Sequence, residues 1–203
     1  MSRQKHADLH LVLAESLMND LLLLIQNGFS LRFKEACSVN TFLCGRLGVS
    51  REYIEERIQT IFLDGKPVDD LDTAMVRNGS SLALSAAMPG LVGAAMRRGG
   101  YYGQLRSTIT YRARPSPGDR EEGLAHVKIF NLLMHDLGPG LLRKGILVPS
   151  GDLAAFLSRL PAAFWAGCSL VRLAGETISS VHLLREGRLS RYELIGLTVE
   201  TEP

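Results

Sequence analysis

The chain has 203 residues, enough for one large domain or two small ones, and it is 46% hydrophobic and 22% charged, as globular proteins are. Its formal net charge of +2 is too small for the concentrated basic face that binds nucleic acid or an anionic membrane. No window reaches about 20 uninterrupted apolar residues, and charges interrupt the N-terminal stretch, so we expect neither a membrane span nor export.

The first predicted elements are a helix and a hairpin. Apolar residues three and four positions apart predict a short amphipathic helix over residues 6–18. Asn27-Gly28, between two apolar runs, predicts a β-hairpin with strands at 21–25 and 29–34. Capping residues then predict one helix from Ser38 or Asn40 to Gly48 and a second from Ser50.

Two more strands complete the first predicted domain. One covers residues 59–63 and ends at the Asp64-Gly65 turn, and the other covers 81–84 after the Asn78-Gly79 turn. The order of hairpin, helix, strand, turn and strand is that of a β-grasp domain, in which a mixed sheet wraps around one main helix.

The rest of the chain predicts a second domain. Alternation over 104–112 indicates a strand, and residues 112–122, with two prolines and mixed charges, are typical of a linker. Beyond it we expect a wide hairpin of 127–134 and 141–148, a helix from Ser150 or Asp152 to Leu160, and strands at 169–174, 178–184 and 191–199.

The fold class predicted from these elements is α+β. We expect a β-grasp-like domain at 1–112 with an N-terminal helix and a Gly-rich apolar extension, a linker at 113–122, and a smaller α+β domain at 123–203.

Residues 62–73 and 77–84 resemble the β-grasp sulfur-carrier proteins of thiamine and molybdopterin synthesis, and the resemblance covers roughly 21–93. It implies a C-terminal Gly-Gly that is adenylated and then receives sulfur. The Gly-Gly here, Gly99-Gly100, is followed by more than a hundred residues, so this role would require cleavage after Gly100. Alternatively, Arg97 and Arg98 lie near a helix C-terminus, and Gly99 ends that helix.

The segment 86–103 is small, apolar and poor in charge, and two interpretations compete. Its glycines would permit close packing in a buried crossover. An exposed segment would instead form a surface for a partner or ligand. The candidate residues of that surface are Met88, Leu91, Met96, Arg97, Arg98, Tyr101 and Tyr102.

Other candidate sites lack the groups that their chemistry requires. His6 and His10 have no evident third metal ligand, with Glu15 farther along, and the acidic run 69–72 lacks calcium-loop spacing. His135-Asp136 in a predicted loop is a weak candidate for acid–base chemistry. We predict no metal, cofactor or catalytic residue.

The cysteines likewise do not predict a metal site or a catalytic site. The three cysteines, Cys37, Cys44 and Cys168, form no paired framework, which favours reduced thiols in the cytoplasm. Cys37, just before a predicted helix, is a better candidate for reactivity than Cys44, but we expect both to be buried, inert thiols.

The sequence therefore favours a non-catalytic protein-interaction or ligand-binding protein built on a β-grasp domain. Two alternatives stay open: a sulfur-carrier precursor cleaved after Gly100, and an enzyme with a His135-Asp136 site in the second domain. We expect the partner to be a protein, a second copy of this chain or a small ligand, but neither nucleic acid nor a membrane.

Overall fold

Helices and strands are mixed along the whole described chain, which confirms the α+β class. The computed structural model describes residues 4–112, 122–185 and 187–202. The strands are β1 (Gln4–Ala14), β2 (Phe29–Phe33), β3 (Cys37–Ser38), β4 (Thr60–Leu63), β5 (Lys66–Pro67), β6 (Met75–Val76), β7 (Ser81–Ser85), β8 (Gly123–Phe130), β9 (Ile146–Pro149), β10 (Cys168–Leu173), β11 (Glu176–Thr177) and β12 (Tyr192–Glu202).

Among the described α-helices, only the one at Leu132–Lys144 reaches the average length for globular proteins. The α-helices are α1 (Leu22–Asn27), α2 (Val39–Phe42), α3 (Arg51–Arg57), α4 (Gly90–Met96), α5 (Leu132–Lys144), α6 (Ser150–Leu157), α7 (Ala162–Ala166) and α8 (Ser180–Leu184). There are 3-10 helices at Glu15–Leu21, Tyr101–Arg106 and Leu189–Arg191, and a π-helical turn at Leu43–Leu47. No helix among these described residues is long and apolar enough to cross a membrane.

Two compact units divide the chain. Unit 1 consists of Met1–Phe29 and Leu137–Pro203, and unit 2 consists of Ser30–Asp136. This division differs from the predicted one, in which 113–122 separates two domains; residues 113–121 lie outside the described part of the chain. Strand β8, which follows that linker, hydrogen-bonds in parallel with β7. Strand β8 is therefore part of unit 2.

The sheet of unit 2 has the order β2-β8-β7-β4-β5. Its centre is the parallel pair of β7 and β8, and β4 is antiparallel to both β7 and β5. Asp64 and Gly65, which join β4 to β5, have φ values of 51° and 74°. Positive φ at both positions is what a two-residue type I′ turn requires, and this confirms the turn predicted there.

The main helix of unit 2 follows β2, and the structure confirms its predicted start at Ser38 and its predicted end at Gly48. The Ser38 hydroxyl accepts a hydrogen bond from the Thr41 N–H at 3.2 Å, and the helix runs through α2 and the π-helical turn to Gly48, at φ 76°. Phe42 on this helix is fully buried, with its ring edge-on to Phe33 of β2 at 6.2 Å. The helix thus covers one face of the sheet.

The strands of unit 1 also have a parallel pair at their centre. The order is β11-β10-β1-β12-β9, and β1 pairs with β12 in parallel from Gln4–Tyr192 to Ala14–Glu202. Every second residue of each strand is buried: Ala7, Leu9, Leu11 and Leu13 in β1, and Ile195, Leu197 and Val199 in β12. These two rows form part of the core of unit 1.

One local motif occurs in both units. In unit 2 the Val68 N–H bonds to the Ile61 carbonyl at 2.9 Å across the Asp64-Gly65 turn. In unit 1 the Ile178 N–H bonds to the Val171 carbonyl at 2.9 Å across a turn at Ala174 and Gly175, where φ is again positive. The same seven-residue spacing shapes the β4–β5 and β10–β11 hairpins.

Two predictions near the N-terminus are wrong. Residues 6–18 form mainly strand β1, because the alternating Ala7, Leu9, Leu11 and Leu13 also fit a strand, and partners on both sides stabilise it. Residues 21–25 are not the first strand of a hairpin: the leucine-rich run forms α1, and Gly28, at φ 115°, follows the end of that helix. Only the second hairpin strand, β2, is confirmed.

Three later predictions are also wrong. Residues 104–112 form a 3-10 helix and turns, and 178–184 contains α8. The hairpin predicted around Gly138, Pro139 and Gly140 is the helix α5, although Pro139 removes one intrahelical hydrogen bond. A Cβ at Gly138 would lie 2.5 Å from Leu22 Cδ2, so close packing explains a glycine inside this helix.

Close packing at Gly123, the first residue of β8, generates a stability prediction. A Cβ there would lie 2.5 Å from Phe33 Cζ and 3.0 Å from Asn78 Cα. We expect Gly123→Ala to lower the free energy of unfolding by roughly 1–3 kcal/mol, because neighbouring groups must shift. Gly45→Ala is the control: it lies in the helical run of the same unit with nothing within 4 Å, and should raise that free energy by roughly 0.5–1 kcal/mol. Urea unfolding followed by circular dichroism measures both, and equal stability of the Gly123 variant and the wild type would contradict the packing.

Candidate functional site

The segment that follows β7, residues 86–111, forms two short helices and is called the connecting segment below. Helix α4 starts after Pro89, and the 3-10 helix Tyr101–Arg106 follows it after a short loop. A Cβ at Gly93 would overlap the Met88 carbonyl group. Glycine at this position therefore lets the start of the segment pack directly against α4.

Arg106 holds the connecting segment together. Its side chain is only 2% exposed, yet each of its five N–H donors has an acceptor. Two bonds of 2.7 and 2.8 Å go to the Asp69 carboxylate as a bidentate pair. The others go to the carbonyls of Ala95, at 2.7 Å, and Arg97, at 3.1 Å, and to the Thr110 hydroxyl, at 2.9 Å. This one guanidinium thus joins three parts of the segment to the loop after β5.

The bonds from Arg106 affect the ionisation of its partner, Asp69. The hydrogen bonds from Arg106 hold the pKa of Asp69 below its usual value, against the opposing effect of burial. Gly99 N–H adds a weaker bond to Asp69 Oδ1 at 3.4 Å. Asp69 is therefore ionised at neutral pH and serves as the fixed acceptor for the buried cation.

Arg98 provides a second attachment. Its backbone N–H donates to the Gln59 carbonyl at 2.8 Å, and its guanidinium donates to the Ile54 carbonyl at 3.0 Å. Near the end of the segment, the Tyr111 N–H donates to the Pro67 carbonyl at 2.8 Å. The connecting segment is thus hydrogen-bonded to the body of unit 2 at several points along its length.

The connecting segment exposes a set of large apolar side chains, and we call this set the apolar surface. Six of the ten large apolar side chains that are exposed among the described residues lie on it, with exposed fractions between 44% and 89%. They are Leu91, Val92, Tyr101, Tyr102, Leu105 and Ile109. Clustered exposed apolar groups of this kind mark interaction sites more often than scattered ones do.

The two tyrosines form the most prominent part of this surface. Tyr101 is the most exposed of the six, and its ring meets that of Tyr102 edge-on with centroids 5.2 Å apart. Edge-to-face contact is the arrangement that aromatic pairs prefer. The pair is therefore already packed before any partner arrives.

The candidate surface residues predicted from the sequence differ in their exposure. Leu91, Tyr101 and Tyr102 are exposed on the apolar surface, and Met88 and Met96 are partly buried. Arg97 is exposed, whereas the Arg98 guanidinium is bound internally.

Sequence reasoning missed Val92, Leu105 and Ile109. The last two fell within the strand wrongly predicted at 104–112. The exposed large side chains match the exposed-surface interpretation of the segment better than the buried-crossover one.

The candidate carrier tail is part of the folded chain. Gly99 N–H contacts Asp69, and Gly100 N–H donates to the Arg97 carbonyl at 3.2 Å. Helix α4 ends at Met96, with Arg97 extended after it, and Gly99 lies in the turn beyond at φ 63°. The two arginines therefore follow the helix, as the capping interpretation places them, although Gly99 is one residue farther on than that interpretation requires.

His135 and Asp136 lie on helix α5 and not in a loop. Both are exposed, and Asp136 Oδ2 accepts hydrogen bonds from the Tyr53 hydroxyl and from Arg57, each at 2.9 Å. The bond from Arg57 lowers the pKa of Asp136, and burial together with the Asp136 bond raises the pKa of Tyr53 to about 12. The carboxylate is thus engaged in a surface ion pair at neutral pH.

The histidine and cysteine candidates do not assemble into a site. His6 and His10 lie on β1, with His6 Nε2 3.6 Å from Asp8 and His10 Nε2 3.3 Å from Glu200. No group of three metal-ligating side chains occurs in the described ranges. Burial raises the pKa of the Cys37 thiol, so this cysteine is not activated as a nucleophile.

Two cavities in unit 2 are open to solvent, and the lining of the smaller one is mainly polar. The smaller, of about 210 Å³, is bordered by Asn40, Arg51, Glu55, Asp70, Asp72 and Arg98. Asn40 and Asp70 serve the fold there: Asn40 donates to Asp72 at 2.7 Å, and Asp70 accepts the N–H of Asp72 and Thr73. The larger, of about 430 Å³, is bordered by Arg32, Lys34, Arg46 and Glu122. The smaller lacks the apolar lining typical of small-molecule sites, whereas the larger is partly apolar through Phe33 and Leu124 and carries four charged side chains in its lining.

Comparisons with known proteins give no relative. No protein-family model matches the chain, and no curated protein or solved structure is significantly similar to it.

The Asp69–Arg106 pair generates a prediction for the connecting segment. Asp69→Asn leaves a buried guanidinium without its counter-ion, and we expect a loss of about 1–3 kcal/mol in unfolding free energy, less than for a fully buried pair because Asp69 is 44% exposed. Trypsin should also cleave faster after Arg97 and Arg98. Asp70→Asn is the matched control, since an amide oxygen can still accept the bonds in its turn. Equal cleavage rates for the two variants would contradict the assigned role.

The same pair predicts a pH dependence. Because the folded state lowers the pKa of Asp69, its stabilisation is present above the unfolded pKa of about 3.9 and is lost as pH falls through the folded value. The stability difference between wild type and Asp69→Asn should therefore be constant near neutrality and narrow below a pH of about 4. Urea unfolding across that range measures it.

Proposed function

We propose that this is a non-catalytic protein-interaction protein, built on a β-grasp domain, that binds another protein through the apolar surface. The observation that carries the proposal is the exposure of six large apolar side chains on a segment whose backbone is fixed by Arg106. A mobile loop would fold such side chains inward or pay ordering entropy on binding, whereas a fixed segment presents them ready for contact.

The strand arrangement of unit 2 supports a β-grasp sheet in a permuted form. In a β-grasp sheet the first and last strands lie parallel at the centre, and a short strand lies at one edge. Here β7 and β8 are the central parallel pair, β5 is the short edge strand, and the main helix follows β2. Strand β8 comes last in unit 2 and takes the place of the usual first strand. Such domains often act as adaptors, which fits the proposal.

The geometry favours neither alternative function. A chain that ended at Gly100 would lack β8, which pairs with β7 at the centre of the sheet, so a released sulfur carrier would lose a core strand. An enzyme based on His135 and Asp136 would need a carboxylate or imidazole directed into a cleft. Asp136 instead pairs with Arg57 and Tyr53 on an exposed part of the surface.

Site-specific photo-crosslinking tests the proposal. We expect a benzophenone amino acid in place of Leu105 to form protein adducts in the cells that produce this protein, because Leu105 is 70% exposed on the apolar surface. The matched control is the same amino acid in place of Leu132, a leucine of unit 2 that is 62% exposed outside that surface. Adducts are detected as species of higher mass after illumination.

Absence of adducts from position 105, or equal adduct formation at 105 and 132, would mean that the apolar surface is not a site of protein contact.

A further inference from the structure

We infer that the partner at the apolar surface is a second copy of this chain, which forms a two-fold symmetric dimer with like surfaces in contact. This inference rests on the proposed function and adds the identity of the partner. Three properties of the surface lead to it: its area, its lack of charge and its prepacked tyrosines.

The area is that of a stable interface. A buried aromatic side chain removes about 150–250 Å², and with roughly 150–200 Å² for each of these six side chains the exposed fractions correspond to roughly 600–800 Å². A standard-size interface takes about 800 Å² from each partner. Burial of all six side chains in one contact would therefore supply most of the area of a standard interface.

The distribution of charge suits contact between identical surfaces. In a two-fold interface each side chain meets its own copy or the copy of a neighbour, so exposed like charges would repel. Residues 86–111 contain three charged residues, all arginine, and two of them, Arg98 and Arg106, bind acceptors within unit 2. Only the Arg97 side chain remains to be placed at the rim. A charged partner or an anionic membrane would have little to pair with here.

The tyrosines provide the anchor that such an interface needs. Tyrosine is enriched among the residues that dominate binding energy, since it buries a large area for little loss of side-chain freedom. Tyr101 is 89% exposed and is supported edge-on by Tyr102, so little further ordering is required. The dimer would bury this pair near its centre.

Sedimentation velocity of the purified chain over micromolar to hundred-micromolar concentrations tests the inference. We expect a concentration-dependent species of twice the chain mass. Tyr101→Ser and Leu105→Ser should each weaken it by tenfold or more, while the control Leu132→Ser leaves it unchanged. Circular dichroism checks that each variant is folded. We expect all three variants to fold, because the substituted side chains are exposed.

A charge-swap experiment tests the two-fold symmetry. Leu105→Lys and Leu105→Glu should each sediment as a single copy, because like charges would meet across the interface. An equimolar mixture of the two should recover the dimer, because opposite charges then meet.

Several results would overturn the inference. They are a single-copy species at every concentration, a dimer that Tyr101→Ser and Leu105→Ser do not weaken, a mixture that recovers nothing, or flotation with phosphatidylcholine vesicles that depends on the same residues. If the chain is a single copy but position 105 crosslinks to a different protein, the dimer is excluded and the proposed function stands. If neither association nor crosslinking occurs, both fail.

Discussion

The buried guanidinium of Arg106 is the interaction on which the display of the apolar surface depends. Isolated helices of seven and six residues, the lengths of α4 and the 3-10 helix after it, are not stable in water. A cation removed from water is tolerated only when its donors are satisfied, and here Asp69, two carbonyls and a hydroxyl accept all five. The same bonds that satisfy the charge fix both helices. Leucine and tyrosine side chains on their outer side are consequently held in solvent.

The two units share a sheet plan but differ in the route of the chain. Each has a central parallel pair and a two-residue turn that leads to a short edge strand. In unit 2 the next strand of the same sheet, β7, lies beside β4. In unit 1 the corresponding strand is β12, which does not lie beside β10. Strand β1 lies between β10 and β12 and pairs with both. The parallel pair of unit 1 therefore forms only after nearly the whole chain is present.

Local signals predicted local structure well, and long-range packing decided the rest. The caps at Ser38 and Ser50, the Asp64-Gly65 turn and the alternation of β2 were all readable, because each depends on neighbouring residues. Residues 6–18 fit helical and strand periods alike, and only the partner strands decide between them. The apolar segment drew attention through its composition. The role of Arg106 could not be predicted, since its carboxylate acceptor lies 37 residues earlier and its other acceptors are mostly backbone carbonyls.

Amide hydrogen exchange tests most directly whether Arg106 fixes the connecting segment. The Arg98 N–H bonds to the Gln59 carbonyl and the Tyr111 N–H bonds to the Pro67 carbonyl, so both report on attachment to the body of unit 2. In Arg106→Met, which keeps most of the side-chain volume but none of the donors, we predict that these two amides exchange at least tenfold faster while those of β4 and β7 stay protected. Unchanged protection of Arg98 and Tyr111 would contradict the account.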